Sequence, residues 1–291
     1  MQRGESPLWA WFDGHVVQFH DARVPIEDRG VQFSEAVYEV VAVVGGVPFR
    51  LDEHVARMRA AAQRLGIEVG VPPPGEWRHI IGQLHRREPH RTATLYAQAS
   101  GGAAPRTLVP AVAPRPLFFA YLRPQSFPGP AEAARGVAAI THPDDRWRHA
   151  DLKTTGLLAA VLARRAAVAR GADEAILVGQ DGYVHEGASS TVFIVRGRTV
   201  VSPAPSQSVL GGTSLGVVID ICRTLGLSFE ARPLTLSELS QADEVFLAST
   251  SLLVMPVLRL DGRTVGSGAA GAVTLQIAYH FQRQFWHALD S

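Results

Sequence analysis

The chain has 291 residues, 46% of them hydrophobic and 19% charged, with a formal net charge of +1. That length suits one large or two modest domains, and the near-neutral balance provides no global field to draw in nucleic acid or a membrane surface. A single cysteine (Cys222), the absence of any HExxH-type pairing among the 11 histidines, no stretch of membrane-spanning length and no apolar signal core after residues 1–6 lead to the expectation of a cytoplasmic protein without disulfide or metal.

In chain order, residues 9–17 read as a hairpin around Asp13-Gly14. Residues 36–44 (AVYEVVAVV) are rich in β-branched side chains, and Gly45-Gly46 turns them into a short strand over 47–49. Residues 51–65 follow a helical period, with Val55, Met58, Ala62 and Leu65 on one face and Gly66 as the stop. A second helix is expected over 77–84, after Pro72-Pro73-Pro74, and the basic run 85–91 reads as its solvated end. Strands at 92–100 and 117–122 complete a small N-terminal α/β domain, residues 1–122. Residues 123–131 (RPQSFPGPA) are the best linker, and 132–291 form the larger C-terminal domain. There we expect a strand at 137–141, a loop to Lys153, a helix over 155–170, a strand at 174–178, a hairpin at Asp181-Gly182 and a strand at 191–195. A helix over 215–225, strands at 244–248 and 254–260 and a terminal helix over about 269–288 follow. Strands interleaved with helices, several joined by hairpins, point to a mixed α/β class whose second domain is barrel-like.

Of the 28 lysines and arginines, only Lys153 is lysine. Arginine serves wherever positive charge suffices, but it stays protonated and cannot act as an amine nucleophile, whereas a desolvated lysine forms an imine with a carbonyl. Glu186 sits in VHEGASS, where small residues allow something flat to approach the backbone. Gly211-Gly212-Thr213-Ser214 opens a helix, an arrangement whose N–H groups and dipole favour an anion. Ser249-Thr250-Ser251 follows a strand, and Arg57 lies on a helix face from which it could clamp a phosphate. Taken singly, each is more often an ordinary cap, turn or surface charge. Together they supply an amine, a carboxylate and three phosphate-binding elements, the inventory that pyridoxal phosphate requires.

The residues 27–33 (EDRGVQF) with Val37-Tyr38-Glu39-Val40-Val41, 53–58 (EHVARM), Asp151-Leu152-Lys153 with 157–163 (LLAAVLA), and Glu186-Gly187-Ala188-Ser189-Ser190 span nearly the whole chain. In combination they resemble the class IV (fold-type IV) aminotransferases, and most closely the D-amino-acid aminotransferases. The resemblance implies two α/β domains with pyridoxal 5′-phosphate in the cleft between them, and a homodimer. It implies Lys153 as the Schiff-base lysine that also moves the substrate's α-proton, and Glu186 as partner of the pyridine nitrogen. Leu210 would pack on the ring, with Arg57, Gly212, Thr213, Ser214, Ser249 and Thr250 around the phosphate. Tyr38 and Arg106, with Leu108 and Ser251 nearby, would receive the substrate. The sequence departs from the family pattern at Leu108, where those enzymes carry a histidine, at Gly156 in place of an asparagine, and at Ser214-Leu215 in place of threonine-arginine. The implied reaction is transamination between a D-amino acid and pyruvate or 2-oxoglutarate. The rivals are an (R)-amine transaminase, a branched-chain L-transaminase, an aminodeoxychorismate lyase and, from a different class, a catalytically silent cofactor-binding protein.

Overall fold

A computed structural model describes residues 6–287; residues 1–5 and 288–291, and with them the last residue expected in the terminal helix, lie outside the described residues. The described chain divides into two compact units. One contains the residues up to Ser126, Leu152–Gly156 and His287, and the other contains Phe127–Asp151 and Leu157–Trp286.

The first unit is built on strands β1 (Trp9–Phe12), β2 (His15–Gln18), β3 (Ala36–Val44), β4 (Val47–Pro48), β5 (Thr92–Ser100) and β6 (Leu117–Pro124). They form one antiparallel six-stranded sheet in the order β2-β1-β6-β5-β3-β4. Helix α1 (Arg29–Phe33) precedes β3, and α2 (Leu51–Arg64) and α3 (Pro74–Arg87) lie between β4 and β5. The period-2 alternation of a strand sends Val37, Val41 and Val43 of β3, with Leu95 and Ala97 of β5, to one face. There they meet Val55 and Met58 of α2 and Trp77, Ile80 and Leu84 of α3 in a single buried cluster. The opposite face carries Tyr38, Tyr96 and Tyr121, stacked with ring centroids 5.7 and 5.3 Å apart. Helix α3 begins three residues earlier than expected, because Pro74 enters its first turn, where the missing N–H costs nothing.

The second unit comprises α4 (Pro130–Arg135), β7 (Val137–Pro143), α5 (Leu158–Ala169), β8 (Glu174–Val178), β9 (Tyr183–Gly187), β10 (Thr191–Arg196) and β11 (Thr199–Ser202). It continues through α6 (Thr213–Leu225), β12 (Ser228–Ala231), β13 (Leu234–Thr235), α7 (Leu236–Ser240), β14 (Glu244–Ser249), β15 (Leu253–Leu260), β16 (Arg263–Thr264) and α8 (Ala272–His287). Its ten-stranded mixed sheet runs β12-β11-β10-β14-β15-β7-β8-β9-β13, with β16 against β15. The pairs β7–β8, β7–β15 and β11–β12 are parallel. The irregular stretch expected over 123–131 is shorter in the structure: β6 persists to Pro124 and α4 opens at Pro130. Helix α5 starts at Leu158 rather than 155, because the preceding backbone is used elsewhere. Thr154 bridges Val37, and the Thr155 amide donates to the Ala36 carbonyl at 3.1 Å. Helix α8 starts at Ala272, where Glu244 accepts from the amides of Val273 (3.1 Å) and Thr274 (2.7 Å) and so fixes the first turn. Among the described residues, no helix is long and apolar enough to cross a membrane.

Candidate active site

In the first unit, the backbone of residues 152–155 lies along the start of β3, and the Tyr38 amide donates to the Lys153 carbonyl at 3.1 Å. This pairing brings the two side chains together. Lys153 Nζ donates to the Tyr38 hydroxyl at 3.3 Å and lies 4.4 Å from the centre of the tyrosine ring. The amine is therefore half-buried against a hydroxyl and an aromatic face, in place of the carboxylate partner that a structural lysine would have.

The next residue on β3 points the other way. Glu39 is fully buried and accepts from His54 Nδ1 at 2.7 Å and from Arg57 Nε and Nη2 at 2.7 and 2.8 Å. Burial alone would raise its pKa, but the charge of Arg57 and the hydrogen bonds from His54 and Arg57 more than offset this and bring it down to about 2. The fork-to-fork geometry fixes the guanidinium of Arg57 on the α2 face. Because the folded-state pKa is depressed, this carboxylate contributes stability above the ordinary carboxylate range, and the contribution is lost as pH falls toward 2. Glu39→Gln removes the buried carboxylate to which Arg57 and His54 donate and is expected to cost about 3–5 kcal/mol in urea unfolding at neutral pH; an unchanged midpoint would show that the ion pair contributes nothing.

Arg106 is placed by the loop that follows β5. Its guanidinium sits 4.8 Å over the Phe33 ring, and Nη1 donates to Gln32 Oε1 at 3.4 Å. The loop is gripped from below by Arg29, whose Nη1 and Nη2 donate to the carbonyls of Thr107 (2.8 Å) and Leu108 (2.9 Å) while Nε donates to Glu35 (2.8 Å). Leu108 is 79% exposed. The described contacts of Arg106 are thus with α1 residues. Arg29 is a residue to which the sequence reading assigned no part in this loop.

In the second unit, Glu186 is the penultimate residue of β9, a strand residue rather than a loop residue, and it is buried. It accepts from Arg146 Nη1 and, at 3.3 Å, from the Leu210 amide. The turn that follows is anchored by Glu174, which accepts from Ser189 Oγ (2.9 Å) and Ser190 Oγ (3.1 Å). Gly187 is required there, since a Cβ would collide with Ser190 Oγ. Helix α6 starts at Thr213 with Gly212 as its N-cap, so Thr213 and Ser214 are the first helical residues rather than the cap, and no side chain of the cap residue closes the end. A Cβ on Gly212 would lie 2.7 Å from Thr191 Oγ1, so the glycine permits the close approach of these two segments. Thr250 and Ser251 follow β14, where Ser249 Oγ accepts from the Leu252 amide at 3.1 Å and lies 3.5 Å from Ser251 Oγ. The structure thus brings together Lys153 with Tyr38, and Glu186 with Leu210. Arg146, which the sequence reading passed over, joins Glu186 from 40 residues away.

The family model for amino-transferase class IV matches residues 36–260. The chain is 36% identical over 266 residues to a D-alanine aminotransferase of Bacillus licheniformis, covering 91% of this chain and 93% of that one. It is 32% identical over 274 residues to a D-alanine aminotransferase of Staphylococcus epidermidis, covering 94% and 96%. Among solved structures, a T.th. branched-chain amino acid aminotransferase with pyridoxamine 5′-phosphate superposes with a TM-score of 0.87 at 28% identity, covering 96% of this chain and 94% of that one. The mixed α/β architecture is the one expected from the sequence, and the chain belongs to the class IV aminotransferases, enzymes that depend on pyridoxal phosphate.

Proposed function

We propose that this enzyme transfers the amino group of a D-amino acid to a 2-oxo acid such as pyruvate or 2-oxoglutarate, with Lys153 as its covalent and acid–base centre. The observation that carries the reading is the half-buried amine of Lys153 held beside the Tyr38 hydroxyl. The similarity to two D-alanine aminotransferases directs it toward D-amino acids. The donor set suits pyridoxal phosphate: an amine without a carboxylate partner in its described contacts, a buried carboxylate, and a helix N-terminus whose cap is a glycine where a Cβ would crowd Thr191. When bound, that cofactor supplies a carbonyl for an amine and a ring that accepts the electron pair left by a departing α-proton.

On this reading Lys153 Nζ would hold the cofactor and would serve as the base that carries the proton of the substrate α-carbon. Tyr38 orients Nζ and, with Arg106, receives the substrate carboxylate. Glu186 would keep the ring nitrogen protonated, and Leu210 would pack on the ring. Arg57, Gly212, Thr213, Ser214, Ser249 and Thr250 take the phosphate, with Ser251 beside the substrate. The phosphate function survives the replacement of the family's threonine-arginine by Ser214-Leu215 because it draws on backbone N–H groups at the start of α6.

A second reading has its own observation. Leu108 stands where the family has a histidine, so the carboxylate rests on fewer donors, and apolar (R)-amines that lack a carboxylate become competitive donors. Half-reactions with D-alanine, L-leucine and (R)-phenylethylamine separate the possibilities: D-alanine is expected to react, and reaction with L-leucine alone overturns the proposal. A hydrogen bond to a charged group is worth about 1.5–3 kcal/mol, or roughly tenfold to a hundredfold. Arg106→Ala is therefore expected to lower kcat/KM for D-alanine by about that factor while sparing (R)-phenylethylamine. Equal losses on both donors would remove Arg106 from carboxylate binding.

A further inference from the structure

Glu186 belongs to a buried chain of charges that continues well past its own contacts. Arg146, which donates to Glu186 through Nη1, also donates from Nε to Asp144 Oδ1 (2.9 Å), from Nη2 to Asp144 Oδ2 (2.8 Å) and from Nη2 to the Ser208 carbonyl (2.9 Å). Asp144 in turn accepts from His185 Nδ1 at 2.7 Å and from the Arg146 amide at 3.1 Å. His185 and Glu186 are neighbours on β9, so their side chains leave opposite faces of the strand, and the segment Asp144–Arg146 reaches both. No side chain of the four is more than 15% exposed.

The arrangement has a definite charge balance. Burial alone would raise the Asp144 carboxyl, but the hydrogen bonds from Arg146 and His185 prevail and hold it well below the usual carboxylate range. Burial alone would lower Arg146, but Asp144 and Glu186 keep it firmly protonated. The hydrogen bond from His185 Nδ1 satisfies an Asp144 oxygen. In the described contacts, the two carboxylates around this guanidinium carry one more negative charge than it neutralises, which is costly in a desolvated setting unless a cation joins them. If Asp144 were neutral, Arg146 and Glu186 would form a self-sufficient pair with no surplus to hold a further proton.

We propose that Asp144 and His185 are positioning residues: by taking up the charge of Arg146, they leave Glu186 with the negative charge that keeps the ring nitrogen of bound pyridoxal phosphate protonated. This rests on the assignment of Glu186 to that nitrogen, and the experiment separates the two. The readout is the 15N chemical shift of ring-labelled pyridoxal phosphate bound to the intact enzyme, which distinguishes a protonated from a neutral pyridine irrespective of turnover. Wild type is expected at the protonated position and Glu186→Gln at the neutral one. Asp144→Asn moves the signal toward neutral. Each unit by which the nitrogen's pKa falls below the working pH lowers the protonated fraction about tenfold, and the rate of the D-alanine half-reaction follows it. His185→Leu shifts the signal in the same direction. His185→Asn, whose amide stands where Nδ1 stood, restores most of what His185→Leu loses.

A wild-type signal in both Asp144→Asn and His185→Leu overturns the proposal and makes the pair merely structural. A wild-type signal in Glu186→Gln overturns the assignment beneath it, whatever Asp144 does. Should Asp144→Asn fail to fold by circular dichroism, the contrast between His185→Leu and His185→Asn decides alone, and equal signals in those two reject the idea.

Discussion

Lys153→Ala is expected to give a protein that binds pyridoxal phosphate without covalent attachment and turns over D-alanine at a small residue of the wild-type rate. Proton transfer by a positioned side chain is worth about 10²–10⁴ in rate, and loss of the covalent anchor adds to that, so a fall of about 10⁴ or more is the expected size. The composition makes the test clean. Borohydride reduction of the yellow wild-type enzyme can fix the cofactor to only one ε-amine, because the chain has a single lysine. A labelled peptide containing Lys153 is therefore expected, and none in the variant. Partial rescue of the variant by small added amines would show that the missing element is a base. Wild-type turnover in the variant, or cofactor label at the α-amine instead, would sink the assignment.

Glu186→Gln is the second large effect. The amide is nearly the same size as the carboxylate and can still accept from the Leu210 amide, so fold and cofactor retention should persist. It differs in two respects that act together. A neutral amide provides no charge to hold a proton on a ring nitrogen, and its NH2 or its weaker carbonyl must face the Arg146 donor that the carboxylate now accepts. Removing a single preorganised electrostatic partner commonly costs about 10²–10³ in rate, and a loss of that order is expected in the α-proton step of the half-reaction followed by stopped flow. The apparent affinity for D-alanine should change little. An unchanged rate would reduce Glu186 to a structural residue of β9.

What could be read from the sequence follows from how local each signal is. The helical period of α2 was visible because Val55, Met58, Ala62 and Leu65 repeat at three- and four-residue spacing and Gly66, at positive φ, marks the stop. Strands β3 and β5, nine residues each, are long enough for their composition to show. By contrast, β12 and β13, of four and two residues, carry no period at all, and their strand character comes only from pairing with β11 and β9. Lys153 stood out by composition, and Glu186 by its small neighbours. Asp144 and Arg146 lie in a segment without period or motif, and their importance is their contact with residues some 40 positions away. Arg29 lay inside a stretch quoted for its resemblance, but its grip on Thr107 and Leu108 spans nearly 80 residues. The phosphate helix illustrates a finer limit. Thr213 and Ser214 are good cap residues by type, yet the helix is capped by Gly212, because the tight approach to Thr191 leaves no room for a Cβ there.

The excursion of Leu152–Gly156 into the first unit has a consequence for how the protein is made. The chain leaves that unit after Ser126 and returns to it for these residues before leaving again. While a ribosome has delivered only the first 126 residues, the Ala36 carbonyl and the Tyr38 amide lack the partners that Thr155 and Lys153 later provide. These β3 backbone groups are therefore paired only after the segment carrying the reactive amine has been synthesised. A chain ending at the linker lacks these backbone partners and the reactive amine together, because the pairing that covers this part of β3 is the one that sets Lys153 beside Tyr38.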